Sequence, residues 1–205
     1  MSALDFLSVG GAADAGGFHP LARSPIDRAQ RARGATFEER DGWLVPTAIP
    51  GEDGRLGTAG VADLSHLSVF EVRPADPGLA GDDVVFHRLS ARRGLVVCPP
   101  AHASTVQADL DERFTLDLSG AFAIVAITGG EAETVIRRLT HLHHFPSSGE
   151  VAHVSAHVLR PGGMFWILVA QELGQYLWEV AVDRAEALGG GPVGVDALAR
   201  AGGAA

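Results

Sequence analysis

Short apolar runs alternate along this chain with stretches of helical periodicity, and turn-forming residues separate them. Strand-like patterns cover residues 36–45, 67–72, 84–89, 95–98, 114–118, 121–128, 151–159 and 164–170. Helical patterns cover 25–33, 101–111, 132–139 and 173–188, while 51–54 and 74–81 have the composition of a turn and a loop. Short turns join consecutive strands, and single helices stand between the pairs. The pattern therefore predicts an α+β fold with antiparallel sheets.

One short motif occurs twice. Asp63-Leu64-Ser65 precedes an apolar strand and a Pro/Gly turn, and Asp117-Leu118-Ser119 precedes another apolar strand and a Gly-Gly turn. A repeated strand-turn unit is expected where two similar supersecondary units pack against each other. The sequence thus predicts two similar packed subdomains.

The two ends of the chain differ in composition from its middle. Residues 8–22 are rich in Gly and Ala without periodicity, whereas Ser24 and Pro25 have the signature of a helix start. Glycines again dominate after residue 188. We expect a flexible leader over 1–23, one folded domain over 24–196 and a flexible tail over 197–205.

Charge and residue usage exclude several classes of function. The formal charge of -9 and the isoelectric point near 5.4 disfavour a protein that grips nucleic-acid phosphates. All 16 basic residues are Arg, so Schiff-base lysine chemistry and a lysine phosphate loop are excluded. Cys98 is the only cysteine, and no apolar run approaches the roughly 20 residues of a membrane span. We expect a cytoplasmic protein with no membrane or nucleic-acid partner.

Several histidines fall in one part of the chain. They are His141, His143 and His144, with His153 and His157 downstream. Converging imidazoles can bind zinc or nickel. Their spacing is poor for one helix face, however, and cationic residues are expected near a helix C-terminus. We predict no metal site here.

Residues 60–72, Gly-Val-Ala-Asp-Leu-Ser-His-Leu-Ser-Val-Phe-Glu-Val, form the most informative stretch. Upstream, 41–46 reads Asp-Gly-Trp-Leu-Val-Pro; downstream, 81–89 reads Gly-Asp-Asp-Val-Val-Phe-His-Arg-Leu and 95–98 reads Leu-Val-Val-Cys. These motifs resemble those of the folate-binding domain of the glycine-cleavage T-protein (aminomethyltransferase) family. The resemblance implies tetrahydrofolate as cofactor and one-carbon transfer as chemistry.

The second half of the chain has a different nearest likeness. Its Asp-Leu-Ser turn at 117–119, its Gly-Gly turn at 129–130 and its Leu177-Trp178 pair are similar to the gamma subunit of heterotetrameric sarcosine oxidase. That subunit is a shortened relative of the same fold. The two resemblances together imply a T-protein-like folate-binding domain over about 24–196, without the family's C-terminal barrel.

The family's motif positions imply a set of site residues. Asp82, the first acid of the Asp-Asp pair, would be the catalytic carboxylate that holds the folate amine and assists proton movement. The Asp82-Asp83 pair is also typical of a strand start, and Trp43 of a ring that anchors an arm to the core. His66 and His87 have the alternative of ordinary core or surface histidines. The implied folate-binding residues are Trp43, His66, Leu67, Asp82, His87 and Arg160.

The chain also departs from the T-protein pattern. The segment between Val72 and Asp82 is shorter, and Arg160-Pro161-Gly162-Gly163 stands where the family has a Gly-Tyr-Thr-Gly-Glu turn that contacts the pterin. A polyanionic folate tail would need other cations, for which Arg88, Arg92 and Arg160 are candidates. These departures are compatible with a transferase and with an accessory component.

Three functional hypotheses follow. The first is a tetrahydrofolate-dependent aminomethyl or methylene transferase, or its accessory component, that needs a larger one-carbon or flavoprotein partner subunit. The second is a non-catalytic subunit of a heteromeric sarcosine-oxidase-like amine oxidase or demethylase. The third is a stand-alone binding module with a changed ligand, since a fold alone does not fix function.

Overall fold

The computed structural model describes residues 20–73, 84–110 and 113–200. The strands are β1 (Ala22–Arg23), β2 (Thr36–Arg40), β3 (Trp43–Ala48), β4 (Gly60–Asp63), β5 (Ser68–Arg73), β6 (Val85–Arg88), β7 (Gly94–Cys98), β8 (Phe114–Asp117), β9 (Phe122–Thr128), β10 (Ser147–Val151), β11 (Val154–Leu159), β12 (Phe165–Ala170) and β13 (Gly191–Pro192). The helices are α1 (Asp27–Ala32), α2 (Glu52–Ala59), α3 (Ala103–Asp109), α4 (Ala132–Leu139), α5 (Gly174–Glu186) and α6 (Val195–Arg200).

The strands form three sheets. The largest has the order β10-β11-β12-β9-β4-β13, a second has the order β6-β7-β5-β8, and the smallest is β1-β3-β2. Pairing is antiparallel except where the two-residue strands β1 and β13 join β3 and β4. The predicted α+β class with antiparallel sheets is confirmed, as are the hairpins β6-β7 and β11-β12.

Alternate residues of β9 supply two different cores. Ala123, Val125 and Ile127 face the cluster that α4 and α5 cover, whereas Ile124 and Ala126 face a second cluster shared with β3, β5 and β7. Side chains alternate between the faces of a strand, so a strand buried on both sides is apolar throughout. The uninterrupted apolar run of β9 therefore marks it as a central strand.

The segment predicted as one strand over 36–45 and ended by Pro46 is a hairpin instead. Asp41 and Gly42 form its turn with φ of 49° and 78°, and β3 continues through Pro46. On the edge of β3 that faces β1, only Trp43 and Leu44 are paired. No hydrogen bond between these strands therefore requires an N–H from Pro46. Proline is tolerated at such unpaired strand positions.

The predicted turn at 51–54 is wrong, because helix α2 begins at Glu52. Its carboxylate accepts hydrogen bonds from the backbone N–H of Ile49 at 2.8 Å and of Gly194 at 2.9 Å. The second donor lies far along the chain. The helix start is therefore fixed by a tertiary contact that the local sequence does not contain.

Both predicted domain boundaries move outward. Ala22 and Arg23 pair with β3, so ordered structure begins before residue 24. The predicted tail from 197 overlaps α6, whose Ala197 and Leu198 are fully buried. Arg200 at the end of α6 pairs with Glu52 at 3.1 Å. Residues 1–19 and 201–205 lie outside the described ranges.

The first Asp-Leu-Ser segment closes a tight turn between β4 and β5. The Asp63 carboxylate accepts a hydrogen bond from the backbone N–H of Ser65 at 2.9 Å. The Ser65 hydroxyl oxygen accepts from the backbone N–H of Ile124 at 3.1 Å, and Leu64 N–H donates to the Ile124 carbonyl at 2.8 Å. The turn is thereby joined to β9.

The second Asp-Leu-Ser segment makes the same bonds between β8 and β9. The Asp117 carboxylate accepts from Ser119 N–H at 2.8 Å, and the Ser119 hydroxyl oxygen accepts from Val69 N–H at 3.2 Å. Leu118 N–H donates to the Val69 carbonyl at 2.8 Å. Each turn is therefore bonded to the strand that follows the other turn.

Within the ranges given above, no helix combines the length and the apolar character that crossing a lipid bilayer requires.

Candidate functional site

Two histidines share one serine hydroxyl at the point where the two larger sheets meet. His87 lies on β6 and is buried, with Nε2 at 3.0 Å from the Ser148 Oγ. The same Oγ lies 2.7 Å from the Nδ1 of His157 on β11. We call His87, Ser148 and His157 the histidine–serine cluster.

Strand pairing explains how the chain assembles this cluster. Ser148 and His157 are directly opposite each other in the β10-β11 pair. Opposite residues of antiparallel strands place their side chains on one face, a few ångströms apart. β6 and β10 are the edge strands of their sheets, and the cluster bridges the two edges.

Burial keeps both imidazoles neutral. It lowers the pKa of His87, and it lowers that of His157 to about 4, with further contributions from His87 and Arg93. A serine hydroxyl has one proton, so Ser148 donates to one ring and accepts from the other. Such a chain of neutral imidazole, hydroxyl and neutral imidazole can hold and pass a proton.

A cavity of about 340 Å³ adjoins the cluster. Ser148 and His157 line its polar side, and Phe122, Leu168 and Ala170 line its apolar side. The Phe122 ring meets the His157 ring edge-on, with 6.0 Å between the centroids. Within the described ranges, Nδ1 of the buried His87 has no hydrogen-bond partner.

A second, larger cavity lies beside the β6-β7 turn. It has about 810 Å³ and is lined by Arg73, Ser90, Ala91, Arg92 and Arg93, which we call the arginine pocket. The Ser90 hydroxyl oxygen accepts hydrogen bonds from the backbone N–H groups of Arg92 and Arg93 at 3.2 and 3.1 Å. The turn that presents the arginines is therefore held by its own serine.

A buried carboxylate positions two of these arginines. Glu71 is 4% exposed and pairs with Arg93 at 2.5 Å and with Arg73 at 2.7 Å. The hydrogen bond from Arg93, supported by Arg73, lowers the pKa of Glu71, so the carboxylate stays ionised. The Arg73 guanidinium also lies 4.9 Å from the centroid of Phe114.

The histidine–serine cluster and the arginine pocket share one face of a sheet. His87 is opposite Leu95 in the β6-β7 pair, and Leu95 is opposite Glu71 in the β5-β7 pair. Residues of one such row point to the same face, and two strand spacings separate the outer members by roughly 10 Å. His87 and Glu71, which holds two of the arginines, therefore lie on the same sheet face, with the buried Leu95 between them.

Of the predicted folate-binding residues, Trp43 and Leu67 are core residues. They are 5% and 2% exposed and belong to the same apolar cluster. The Trp43 ring packs against Gly120, where an added Cβ would lie 3.5 Å from the ring. Neither residue lines the cavity beside His157.

His66, Arg160 and Asp82 also stand apart from the cluster. Burial, with the charge of Arg40, lowers the pKa of His66 to about 4. Arg160 is exposed, lies 4.8 Å from the Phe165 ring centroid and pairs weakly with Glu133 at 3.7 Å. Asp82 lies outside the described residues. Among the predicted residues that the structure describes, His87 alone belongs to the cluster.

Cys98 ends the stretch 95–98, one of those that resemble T-protein motifs. Its side chain is fully buried at the end of β7, and burial, with the charge of Asp117, raises the pKa of the thiol to about 11. A thiol that stays protonated is a poor nucleophile. Cys98 therefore acts as a small core residue.

Sequence patterns did not single out Ser148 or Phe122. Ser148 sits in a polar stretch that lies outside every predicted strand and helix and forms β10 by pairing with β11. The sequence points to His157 only as a candidate metal ligand. His141, His143, His144 and His153 are exposed, and among the described residues no three potential metal ligands come together.

Comparisons with known proteins point to the aminomethyltransferases, although no family model matches the chain. It is 26% identical to an aminomethyltransferase of Saccharopolyspora erythraea over 159 residues, which cover 58% of the chain and 43% of the relative. It is also 26% identical to an aminomethyltransferase of Streptomyces coelicolor over 224 aligned residues, which cover 85% of the chain and 60% of the relative.

Solved structures give the same picture for the fold. Glycine cleavage system aminomethyltransferase T from Bartonella henselae superimposes with a TM-score of 0.67 at 19% identity, over 86% of the chain and 60% of that protein. A chain of heterotetrameric sarcosine oxidase from Corynebacterium sp. U-96 superimposes with a TM-score of 0.59 at 16% identity, over 82% and 96%.

The matched region spans about half the length of the curated relatives, 43% and 60%. The sequence motifs, the two sequence relatives and the two superpositions all point in the same direction. The chain is a T-protein-like protein, similar in sequence and fold to the aminomethyltransferases and in fold to a sarcosine oxidase subunit.

Proposed function

We propose that this protein binds tetrahydrofolate and takes part in one-carbon transfer, as a transferase or as its accessory component. The observation that carries the proposal is the cavity beside the histidine–serine cluster. One member of the cluster, His87, stands where the T-protein motif has a tyrosine. A neutral imidazole can make the hydrogen bonds that a phenol would make to a bound heterocycle.

The residues around the cavity fit the ring portion of a reduced folate. A cavity of about 340 Å³ is within the range of small-molecule sites. A pterin is flat and has donors and acceptors along its edge. Phe122 and Leu168 offer an apolar wall, while Ser148 and His157 offer polar atoms for the edge.

Each residue has a role under this proposal. Tetrahydrofolate supplies a reduced nitrogen that carries the one-carbon unit. Ser148 and His157 orient the ring, and His87 holds a proton with Ser148. Asp82 remains the proposed acid by its motif position. Trp43 and Leu67 act through packing, and His66 and Arg160 are proposed as outer contributors only.

Binding of tetrahydrofolate under reducing conditions tests the proposal. We expect a saturable rise in melting temperature, because a ligand that binds only the folded state stabilises it. Ser148→Ala should weaken binding by about tenfold, the loss of roughly one good hydrogen bond. Ser104→Ala, at an exposed position on α3, is the matched control. No shift at ligand concentrations far above micromolar would remove the basis of the proposal.

Asp82 is tested by the conservative change to Asn. Asp82→Asn should weaken folate binding or transfer, because the amide cannot accept a proton. Asp83→Asn is the adjacent control. If the two changes have equal effects, the Asp82-Asp83 pair only marks the start of a strand, and Asp82 has no separate role in folate binding or transfer.

A second function is favoured by one comparison. The superposition on the sarcosine oxidase chain covers 96% of that chain, whereas that on aminomethyltransferase T covers 60%. We infer from this, as the alternative function, the role of a non-catalytic subunit of a heteromeric amine oxidase or demethylase. Co-purification with a flavin-containing subunit from the native host is the test. A monomer without such a subunit would count against it.

The two Asp-Leu-Ser turns support the proposal that the fold consists of two similar packed subdomains. Each turn bonds the strand that follows the other turn through two groups, its serine hydroxyl oxygen and its leucine N–H. This exchange of bonds is what two related strand-turn units would make across a local two-fold axis.

A further inference from the structure

We propose that two copies of this chain associate through strand β8, which pairs with β8 of the second copy in an antiparallel register centred on Thr115. The inference does not depend on the proposed function. It gives a role to Phe114 and Leu116, which are 56% and 47% exposed and are the most exposed large hydrophobic residues of the described ranges.

The outer edge of β8 is open. β8 ends the four-stranded sheet, and no strand of the described ranges pairs with its outer side. At the opposite edge of this sheet, β6 is bridged to β10 by the histidine–serine cluster. Natural sheets commonly protect an edge strand with proline, lysine or a bulge. The sequence of β8, Phe-Thr-Leu-Asp, contains neither residue, and its pairing with β5 runs without a register shift.

The backbone of β8 directs the required groups outward. Leu118 N–H donates to the Val69 carbonyl on β5 at 2.8 Å. Along an antiparallel strand, successive residues direct their N–H and C=O groups to opposite sides. Leu116 therefore directs its groups toward β5, whereas Thr115 and Asp117 direct theirs away from it. Thr115 of one copy can thus exchange two hydrogen bonds with Thr115 of the other.

The side chains are self-complementary in this register. With Thr115 opposite its own copy, Phe114 faces Leu116 of the second copy, and Arg113 faces its Asp117. Apolar pairs and pairs of opposite charge stabilise antiparallel strands when they are directly opposite. A two-fold axis makes each of these contacts twice. A parallel, in-register pair would bring like charges together, so the two charged residues favour the antiparallel arrangement.

The surroundings of β8 leave room for a second strand. Within the described ranges, no side chain of β8 belongs to a core cluster, and helix α3 packs through Val106 on residues of β5 and β7. Leu118 still packs against the second core cluster, but Leu116 and Phe114, next along the same face, do not. A second β8 would cover this exposed part of the row and continue the sheet into the other copy.

Size-exclusion chromatography with light scattering tests the inference on the purified chain. We expect a monomer–dimer equilibrium with a dissociation constant on the order of 10 µM, because an interface of two short strands is small. Leu116→Ser should weaken association by about tenfold, since the apolar pair occurs twice. Leu21→Ser, at another exposed leucine of the described ranges, is the matched control and should leave association unchanged.

Charge reversal tests the register. Arg113→Asp places two carboxylates opposite each other and should weaken association by about tenfold. Adding Asp117→Arg to that variant restores opposite charges in the same register, so association should recover. A substitution that only destabilised the fold would not be rescued in this way.

Three outcomes would overturn the inference. The first is a wild-type chain that stays monomeric at roughly 100 µM, ten times the expected dissociation constant. The second is a dimer that is unaffected by Leu116→Ser and Arg113→Asp, because the copies would then meet on another surface. The third is a monomeric chain whose β8 variants weaken co-purification with a larger subunit, because that subunit would then be what covers the edge.

Discussion

The two Asp-Leu-Ser turns share the hydrogen bonds that join them to each other's strands, but their surroundings differ. Asp63 is 1% exposed and also accepts a hydrogen bond from the buried Gln30 amide at 3.2 Å. Asp117 has the same bond to its serine N–H, but its side chain is exposed. Burial raises the pKa of Asp63. The same local motif therefore occurs once inside the core and once at the edge of the core, where its carboxylate is exposed.

The residue after each serine marks a second difference. Leu67 N–H donates to the Leu64 carbonyl at 3.0 Å, and Ala121 N–H donates to the Leu118 carbonyl at 2.9 Å, so both turns close in the same way. The second turn has Gly120 with φ of 80° where the first has His66. Equal hydrogen bonding therefore does not require equal backbone conformation.

Removing each carboxylate in turn should give the largest difference in stability between the two turns. Asp63→Ala leaves the buried Ser65 N–H and the Gln30 amide without an acceptor, so we expect a loss of about 3 kcal/mol in the free energy of unfolding. Asp117→Ala leaves the Ser119 N–H to bond with water instead. It should lower the free energy of unfolding by about 1 kcal/mol or less. Urea unfolding monitored by tryptophan fluorescence measures both. Equal losses would show that burial is not what separates the turns.

Asp63→Asn refines the same contrast. The Gln30 Oε1 is buried without a partner in the described structure, so a reversed Gln30 amide can accept from the new Asn. We expect a smaller loss than for Asp63→Ala. Because the folded pKa of Asp63 is raised, wild-type stability falls as pH rises from the unfolded pKa through the folded one. Asp63→Asn should lack that decline.

The serine hydroxyls should give the next largest contrast. Ser65→Ala removes the acceptor of the buried Ile124 N–H and should cost about 2 kcal/mol. Ser119→Ala removes the acceptor of Val69 N–H at a partly exposed turn and should cost about 1 kcal/mol. Urea midpoints at constant m-value are the readout. A larger loss of stability from Ser119→Ala than from Ser65→Ala would contradict the conclusion that the first turn lies in the core and the second at its edge.

The histidine of the first turn should make stability depend on pH. Burial lowers the folded pKa of His66 to about 4, below its unfolded value, so protonation favours the unfolded chain. The contribution of the neutral His66 to stability is fully present above the unfolded pKa and is lost as the pH falls toward 4. Between pH 7 and 5 we expect His66→Gln to reduce this loss by about 1 kcal/mol. His153→Gln, at a 90% exposed side chain, is the control.

Gly120 should give the smallest contrast. Gly120→Ala places a Cβ in the left-handed region, which costs about 1 kcal/mol, while the Trp43 ring at 3.5 Å leaves room for the methyl group. His66→Ala in the first turn needs no such conformation. A Gly120→Ala protein as stable as the wild type would mean that the second turn can adopt the backbone of the first.

Local patterns predicted much of the fold. The strands β5 to β9, the helices α4 and α5 and the repeated Asp-Leu-Ser motif were all visible in the sequence, because side-chain periodicity and turn residues act over a few positions. The start of α2 was not, since the bond between Glu52 and Gly194 joins distant segments. β10 was missed because it forms only by pairing with β11.

The candidate site was less predictable than the fold. Motif positions pointed to His87, and the structure gives it a polar partner, but that partner is Ser148 on another sheet. The sequence is compatible with Trp43 either as a folate-binding residue or as a core anchor, and its contacts favour the core. A motif names residues, whereas packing decides which of them meet.

The sequence by itself determined the class of fold, the resemblance to T-proteins and the duplicated turn, because each depends on neighbouring residues. Only the tertiary structure decided the rest: that Asp63 is buried and Asp117 exposed, that two histidines share Ser148, and that Glu71 positions Arg73 and Arg93. These features depend on how edge strands and sheet faces meet. Residues far apart in the chain set that geometry, and no local pattern records it.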